Sequence, residues 1–153
     1  MIFRPIPEQR RTLGALLRLP YEALSRRVYA RLAEAGFTDI RPAHSNVFRY
    51  LSPQGSRITQ LAERAQITKQ SMAYLVDSLI EGGYLKAETD PTDGRAKLLR
   101  LTAKGEAVQD SLLKIGAEVE VETAQLLGSE KLTQLRSLLE EWVELLKEDV
   151  EET

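Results

Sequence analysis

Apolar residues recur at three- and four-residue spacing through much of this chain. From Arg10 to Glu34, Leu13, Leu16, Leu17, Leu24, Val28 and Leu32 mark one face, and the spacing predicts a helix. Pro20 lies inside it and lacks a backbone donor, which predicts a kink there or a break into two segments. Gly36 ends the segment, Thr38 to Pro42 connects, and Ala43 to Leu51 reads as a short helix with Val47, Phe48 and Leu51 turned to a core. The turn residues of Ser52-Pro53-Gln54-Gly55-Ser56 make a loop. Thr59 can then cap a helix carrying Leu61, Ala62 and Ala65, Gln66-Ile67 form a tight turn, and Thr68 caps a second helix from Lys69 to Glu81. In that second helix Met72, Leu75, Val76 and Leu79 fall at i, i+3, i+4 and i+7, the spacing of one buried face. Lys69, Gln70, Ala73, Tyr74 and Asp77 are left on the opposite side.

The period changes after Gly82-Gly83, a pair that tolerates the positive φ angles of a helix end. Tyr84–Glu88 and Lys97–Leu101 read as short strands flanking the polar stretch Thr89–Ala96, which predicts a β-hairpin with its tip at Asp93-Gly94-Arg95. Helical spacing then returns. Thr102 caps a long helix from Ala103 toward Leu127, Gly128 ends it, and Ser129 caps a last helix through about Val150. Leu132, Leu135, Leu138, Leu139, Trp142, Leu145 and Leu146 form a wide apolar stripe on that last helix. Such a stripe calls for a partner helix, either the first helix of the same chain or one from a second chain. The fold class expected is therefore mainly α with a small β-hairpin wing. A winged helix-turn-helix lobe, residues 43–102, would sit between two helical dimerisation segments, residues 1–42 and 103–153.

Composition narrows the function classes. At 153 residues the chain suits one domain, or a small one with helical extensions. No run of about 18 apolar residues exists, and Met1-Ile2-Phe3-Arg4-Pro5-Ile6-Pro7 lacks an apolar core of signal-peptide length, so no membrane role and a cytoplasmic location are expected. The absence of cysteine excludes disulfides, thiol switches and Cys-based zinc sites. A single histidine, no Gly-x-Ser-x-Gly, no phosphate-cradling glycine loop and no acid/histidine cluster at metal spacing leave nothing from which to build an enzyme, a metal site or a cofactor site. The net charge of −2 taken alone argues against a nucleic-acid partner, but its distribution reverses that. Residues 1–56 carry +5, residues 57–105 carry +2 and residues 106–153 carry −9, so a phosphate-facing part can coexist with an acidic part held away from DNA.

Two elements carry candidate chemistry. A helix whose exposed N-terminal half offers Lys69, Gln70, Ser71, Ala73 and Tyr74 suits a major groove about 12 Å wide, although an ordinary amphipathic helix fits the same pattern. A hairpin tip bearing Arg95 and Lys97 suits the narrow minor groove, whose negative potential attracts guanidinium. Asp93, two residues before Arg95, is expected to fix the Arg95 rotamer through a charge-assisted hydrogen bond. A winged helix that binds a partner protein instead of DNA is the competing reading, because fold does not determine function.

At this point the residues resemble a known family. Ile67-Thr68-Lys69-Gln70-Ser71-Met72, then Leu75-Val76-Asp77-Ser78-Leu79, Gly83-Tyr84-Leu85, and above all Asp90-Pro91-Thr92-Asp93-Gly94-Arg95-Ala96-Lys97 leading into Leu101-Thr102-Ala103-Lys104-Gly105 are similar, in order and spacing, to the MarR family of bacterial transcriptional regulators. The motif covers residues 57–105; the flanks match in helical pattern only. The resemblance implies a homodimer, with interlocked terminal helices, that reads a pseudo-palindromic site in double-stranded DNA, as a repressor. It places Lys69, Gln70, Ser71, Ala73 and Tyr74 nearest the bases and Asp93 and Arg95 at the minor groove. Arg57, Thr59 and Thr68 fall where phosphate contacts are expected, with His44 or Ser45 as further candidates; for His44 an exposed loop or cap position is the equal alternative. The family also implies a small aromatic or phenolic acid as effector, and no residue set in this sequence fixes its pocket.

Overall fold

The structure, a computed structural model, describes Pro7 and residues 11–151, with side chains as far as Lys147. Arg10, the expected start of the first helix, and the opening residues up to Ile6 lie outside the described residues. The chain forms two compact units that divide after Ile115.

The first unit opens with α1, Leu13–Glu34, capped by the Thr12 hydroxyl, which accepts a hydrogen bond from the Ala15 amide. Of the kink or break expected at Pro20, the break does not occur. Pro20 forfeits only its own bond to the preceding turn, while Arg18 and Glu22 pair across it at 2.8 Å, so one continuous helix persists. Gly36 closes α1 at φ +101°, with the Phe37 amide bonded to the Leu32 carbonyl and the Gly36 amide to that of Ala33. That pattern of crossed bonds satisfies carbonyls otherwise left open at a helix end. The expected helix from Ala43 to Leu51 is instead a 3₁₀ turn, Pro42–His44, running into α2, Ser45–Tyr50. Proline at its first position and the His44 ring at its last explain the tighter turn: His44 Nδ1 accepts the Arg41 amide at 2.9 Å.

α3, Ile58–Ala65, begins earlier than expected, so Thr59 lies inside the helix and Arg57 occupies the cap, where its amide donates to Gln60 Oε1 at 2.9 Å. Gln66 ends α3 in the left-handed region at φ 54°, a conformation costing a non-glycine residue roughly 1–2 kcal/mol and here held by crossed bonds from the Gln66 and Ile67 amides. α4 spans Lys69–Glu81 as the periodicity predicts, and the Thr68 hydroxyl caps it by accepting the Ser71 amide at 3.1 Å. Its Met72, Leu75, Val76 and Leu79 are buried together with Leu61 and Ala62 of α3, Val47 and Phe48 of α2, and Leu32 of α1. These apolar side chains are the core that fixes α4 with its other face outward.

β1, Leu85–Asp90, and β2, Asp93–Leu101, form an antiparallel hairpin longer than the sequence suggests. Its turn is Pro91-Thr92, not Asp93-Gly94-Arg95. Ser56 adds one more rung, exchanging backbone bonds with Leu99 at 3.1 and 2.9 Å and so tying the segment before α3 to the hairpin.

α5, Ala103–Leu127, starts against the hairpin at an unusually close approach. The Thr102 hydroxyl accepts the Gly105 amide at 3.1 Å and donates to the Gly83 carbonyl, the Thr102 amide bonds the Tyr84 carbonyl at 3.0 Å, and Lys104 Nζ reaches the Gly82 carbonyl at 2.7 Å. A Cβ on Gly105 would stand 2.1 Å from the Tyr84 carbonyl oxygen, so only glycine fits. Tyr84 itself is buried; its hydroxyl donates to Asp39, its ring meets Phe37 edge-on at 6.3 Å, and Lys104 Nζ lies 4.3 Å over its face. Burial, reinforced by the Asp39 carboxylate, pushes the Tyr84 hydroxyl pKa up to about 12, so it stays a donor.

In the second unit the end of α5 and α6, Ser129–Glu151, meet at Gly128, which takes φ +99°. Arg136 of α6 pairs with Glu120 of α5 and with Glu140 one turn on. Leu135, Leu138, Leu139, Trp142, Leu145 and Leu146 are all exposed, 64% in the case of Leu138. No described helix is long and apolar enough to cross a membrane.

Two stability predictions follow from these contacts. Gly105→Ala should destabilise the protein by about 1–3 kcal/mol or more, since the clashing atom is backbone and cannot step aside; urea unfolding would measure it, and an unchanged midpoint would contradict the close approach. His44 is 4% exposed, and burial first, then the Arg41 charge, lowers its pKa from 6.5. The unfolded chain therefore binds its proton more readily, and stability present above pH 6.5 is lost as pH falls through the lower folded value. His44→Gln should remove that component of the pH dependence, read from thermal unfolding between roughly pH 5 and 7.5.

Candidate nucleic-acid interface

The exposed face of α4 begins directly at its cap. Lys69, Gln70 and Ser71 form the first turn, all exposed, and Tyr74 follows one turn on at 77% exposure. Ala73 between them is half-buried. The Thr68 hydroxyl is committed twice, accepting the Ser71 amide and donating to Ser71 Oγ at 2.9 Å. Thr68 and Ser71 thus hold the helix start in shape, while Lys69, Gln70 and Tyr74 leave polar groups directed at solvent.

The hairpin departs further from expectation. Its ladder runs regularly from Leu85 opposite Leu101 to Thr89 opposite Lys97, and the next pair is Asp90 opposite Asp93. Gly94, Arg95 and Ala96 therefore bulge out of β2 with no counterpart on β1. Bulges re-aim side chains and increase local twist. Arg95 sits at the centre of this one, exposed and without an ion pair among the described residues, and Lys97 below it is exposed with its ammonium 3.4 Å from Thr89 Oγ1. The expected Asp93 bond to the Arg95 guanidinium is replaced by a different one: Asp93 Oδ1 accepts the Arg95 backbone amide at 3.0 Å. Asp93 therefore shapes the bulge backbone through the Arg95 amide and not through its guanidinium. A carboxylate accepting an amide two residues ahead closes a smaller ring than one reaching a side chain of four rotatable bonds, and loses less entropy in doing so.

Asp90 organises the turn. Its Oδ1 accepts the Thr92 amide at 2.8 Å and the Thr92 hydroxyl at 2.7 Å, and its Oδ2 accepts Arg57 Nε at 2.8 Å with Nη2 at 2.6 Å. Four donor groups fill the lone-pair sites of one buried carboxylate. The Thr92 hydroxyl and amide, with Arg57 behind them, depress its pKa from 3.8 to about 2. Arg57 is consequently engaged with the hairpin, whereas Thr59 is exposed on the first turn of α3. Of the positions expected for His44, the cap is the one found, but the residue is buried and not open to a ligand: it stands at the start of α2, its ring caps the Arg41 amide and it lies 3.3 Å from Ser78 Oγ of α4. Ser45 beside it is half-buried.

The sequence reading missed Asp90 and the part played by Ser56. Asp90 had a local signal, since Asp followed two residues later by Thr is a turn-forming pair. Its bond to Arg57, 33 residues away, had none.

Comparison with known proteins supplies a frame for this geometry. A family model described as the MarR family matches residues 38–96. Among solved structures, the transcriptional repressor CouR bound to a 23-mer DNA duplex is 24% identical, covers 93% of this chain and 99% of its own, and superposes with a TM-score of 0.72. The reduced form of MarR from E. coli is 20% identical over 91% of this chain and 98% of its own, with a TM-score of 0.74. Transcriptional regulator Tm0710 from Thermotoga maritima is 24% identical over 89% and 94%, with a TM-score of 0.63. A search of curated proteins finds no match. Residues 38–96, which hold α2, α3, α4 and the wing turn, match the MarR family model, and the chain has the winged-helix fold of the MarR-type structures it superposes on.

Proposed function

We propose that this chain is a transcriptional regulator that reads a pseudo-palindromic site in double-stranded DNA as a homodimer, acting as a repressor. The observation that carries the reading is Arg95: a guanidinium raised on a bulge at the end of a hairpin, exposed and without an ion pair among the described residues, in the same lobe as a helix whose first turns expose Lys69, Gln70 and Tyr74. Arg95 in the minor groove and Lys69, Gln70 and Tyr74 at major-groove base edges use each group for what its chemistry favours. Thr59, Ser71, Ala73 and Lys97 border these contacts, and the Thr68 cap aims the start of α4 at DNA. The solved repressor bound to DNA shares the fold, which supports the same docking mode here. A small aromatic or phenolic acid as the releasing effector rests on the family resemblance alone.

The dimer rests on exposed apolar surface. α6 bares Leu135, Leu138, Leu139, Trp142, Val143, Leu145 and Leu146, and α1 bares Leu13, Leu16, Tyr21 and Leu24. Contiguous apolar faces of this kind mark interaction surfaces, and a second copy of the chain covers them with helices of matching pattern. The acidic balance of residues 106–153 keeps that part of the dimer off DNA.

A duplex carrying an inverted repeat from the gene's own upstream region is expected to bind with an affinity that falls steeply as salt rises. Arg95→Ala should weaken binding by about 1–3 kcal/mol, and a variant binding as well as the parent would leave the wing without the role given to it. Lys69→Ala and Gln70→Ala should alter sequence preference more than total affinity. Salt-insensitive or absent DNA binding would favour a protein-interaction module instead. In sedimentation equilibrium the expected mass is twice the 17.2 kDa of the chain, and a monomer at micromolar concentration would refute the dimer.

A further inference from the structure

We propose that Arg57 and Asp90 are positioning residues that set the aim of the wing, and through it of Arg95, and do not themselves touch DNA. The functional part of this inference rests on the DNA-reading role above; the brace itself is a property of the free protein. At its base the hairpin is tied to the lobe by the Ser56–Leu99 backbone bonds. Leu99 faces Ala87, and Asp90 lies three residues farther along β1, about 10 Å at 3.4 Å per residue. An isolated two-stranded ribbon is marginally stable and free to twist, so a tie at the base alone leaves the outer end to swing.

Arg57 supplies the second tie. It follows Ser56 directly and reaches the outer end of the hairpin, with Nε at 2.8 Å and Nη2 at 2.6 Å from Asp90 Oδ2 and Nη1 at 3.9 Å from Asp93 Oδ2. One guanidinium therefore faces the residue before the turn and the residue after it. The Asp90 carboxylate is 6% exposed, so solvent and salt screen this pair less than they would an ordinary surface pair. With Thr92 on its other oxygen, Asp90 has no acceptor site left. As a DNA contact Asp90 makes no sense, because a carboxylate near phosphates repels them. As the fixed end of a brace it does, and Asp93 extends the same geometry to Arg95 by holding the Arg95 amide.

Asp90→Asn and Arg57→Gln in the full chain test this. Asn keeps a carboxamide oxygen for Thr92, so the turn persists while the ion pair is lost. Both variants should bind the inverted-repeat duplex about tenfold more weakly, the double variant no worse than either single one, with an unchanged salt slope. That Asp90→Asn weakens binding although it removes a negative charge is the distinguishing result. If Arg57 held a phosphate instead, Arg57→Gln would reduce the salt slope by about 1 and Asp90→Asn would tighten binding; either result overturns the proposal. In the free protein, amide exchange from Thr92 to Lys97 should quicken in both variants while α4 stays protected. Unchanged exchange at the wing overturns the brace, and so does loss of protection spreading through α4. Should the parent protein bind no DNA, the proposed function fails, and the exchange measurement still decides the brace.

Discussion

The lobe is organised around the place where α5 begins. There the end of α4, the start of β1, the end of β2 and the first turn of α5 meet within a few bonds of the Tyr84 carbonyl, and the absent side chain of Gly105 is what lets them come so close. Tyr84 joins this backbone knot to the segment between α1 and α2 through its hydroxyl and Asp39. Gly82 contributes in the same way, since a Cβ there would meet the Tyr84 ring at 2.6 Å. The close approach of the hairpin to the end of α4 and the start of α5 is thus permitted by the missing side chains and held by the polar bonds. Directional precision of this sort is what a reading element needs, because misplacement of a contact by an ångström forfeits much of its energy.

From that knot outward the stiffness is graded. The base of the hairpin has backbone bonds on both sides, through β1 and through Ser56. Its outer end has one side-chain tie, and the bulge carrying Arg95 has only the Asp93 carboxylate. α4 is held along its whole length by a buried apolar face, with Thr68 fixing its first turn. The two elements offered to a ligand are therefore positioned by different physics. Packing holds one and a chain of hydrogen bonds the other, so salt and pH act on them unequally.

Much of this was legible in the sequence. The bounds of α4 and its buried positions followed from spacing alone, because a lone buried stripe leaves a helix little choice of face. The hairpin, the long helices beyond it and the uncovered stripe of α6 were legible for the same reason. What escaped were the places where a long-range contact overrides a local signal. Asp93-Gly94 looked like a turn, and Asp90 with Thr92 took the turn instead because Arg57 completes the carboxylate's bonding. Pro20 left a kink or a break open, and the helix does not break there, because one missing bond did not outweigh the turns around it. His44 was open between a DNA contact and an exposed loop or cap position, and it is a cap turned inward, where the Arg41 amide and Ser78 give both ring nitrogens a partner.

The three residues that leave the ladder at Gly94–Ala96 have a consequence for how this wing can vary. In a regular hairpin, inserting or deleting one residue reverses the facing of every side chain beyond it, exchanging core for solvent. Here the slack is already concentrated in one unpaired stretch outside Lys97. A change in length at that stretch leaves the alternation from Leu98 to Leu101 intact, and with it the buried Leu99 that anchors Ser56. The reach of the arginine can therefore be lengthened or shortened without disturbing the scaffold that carries it.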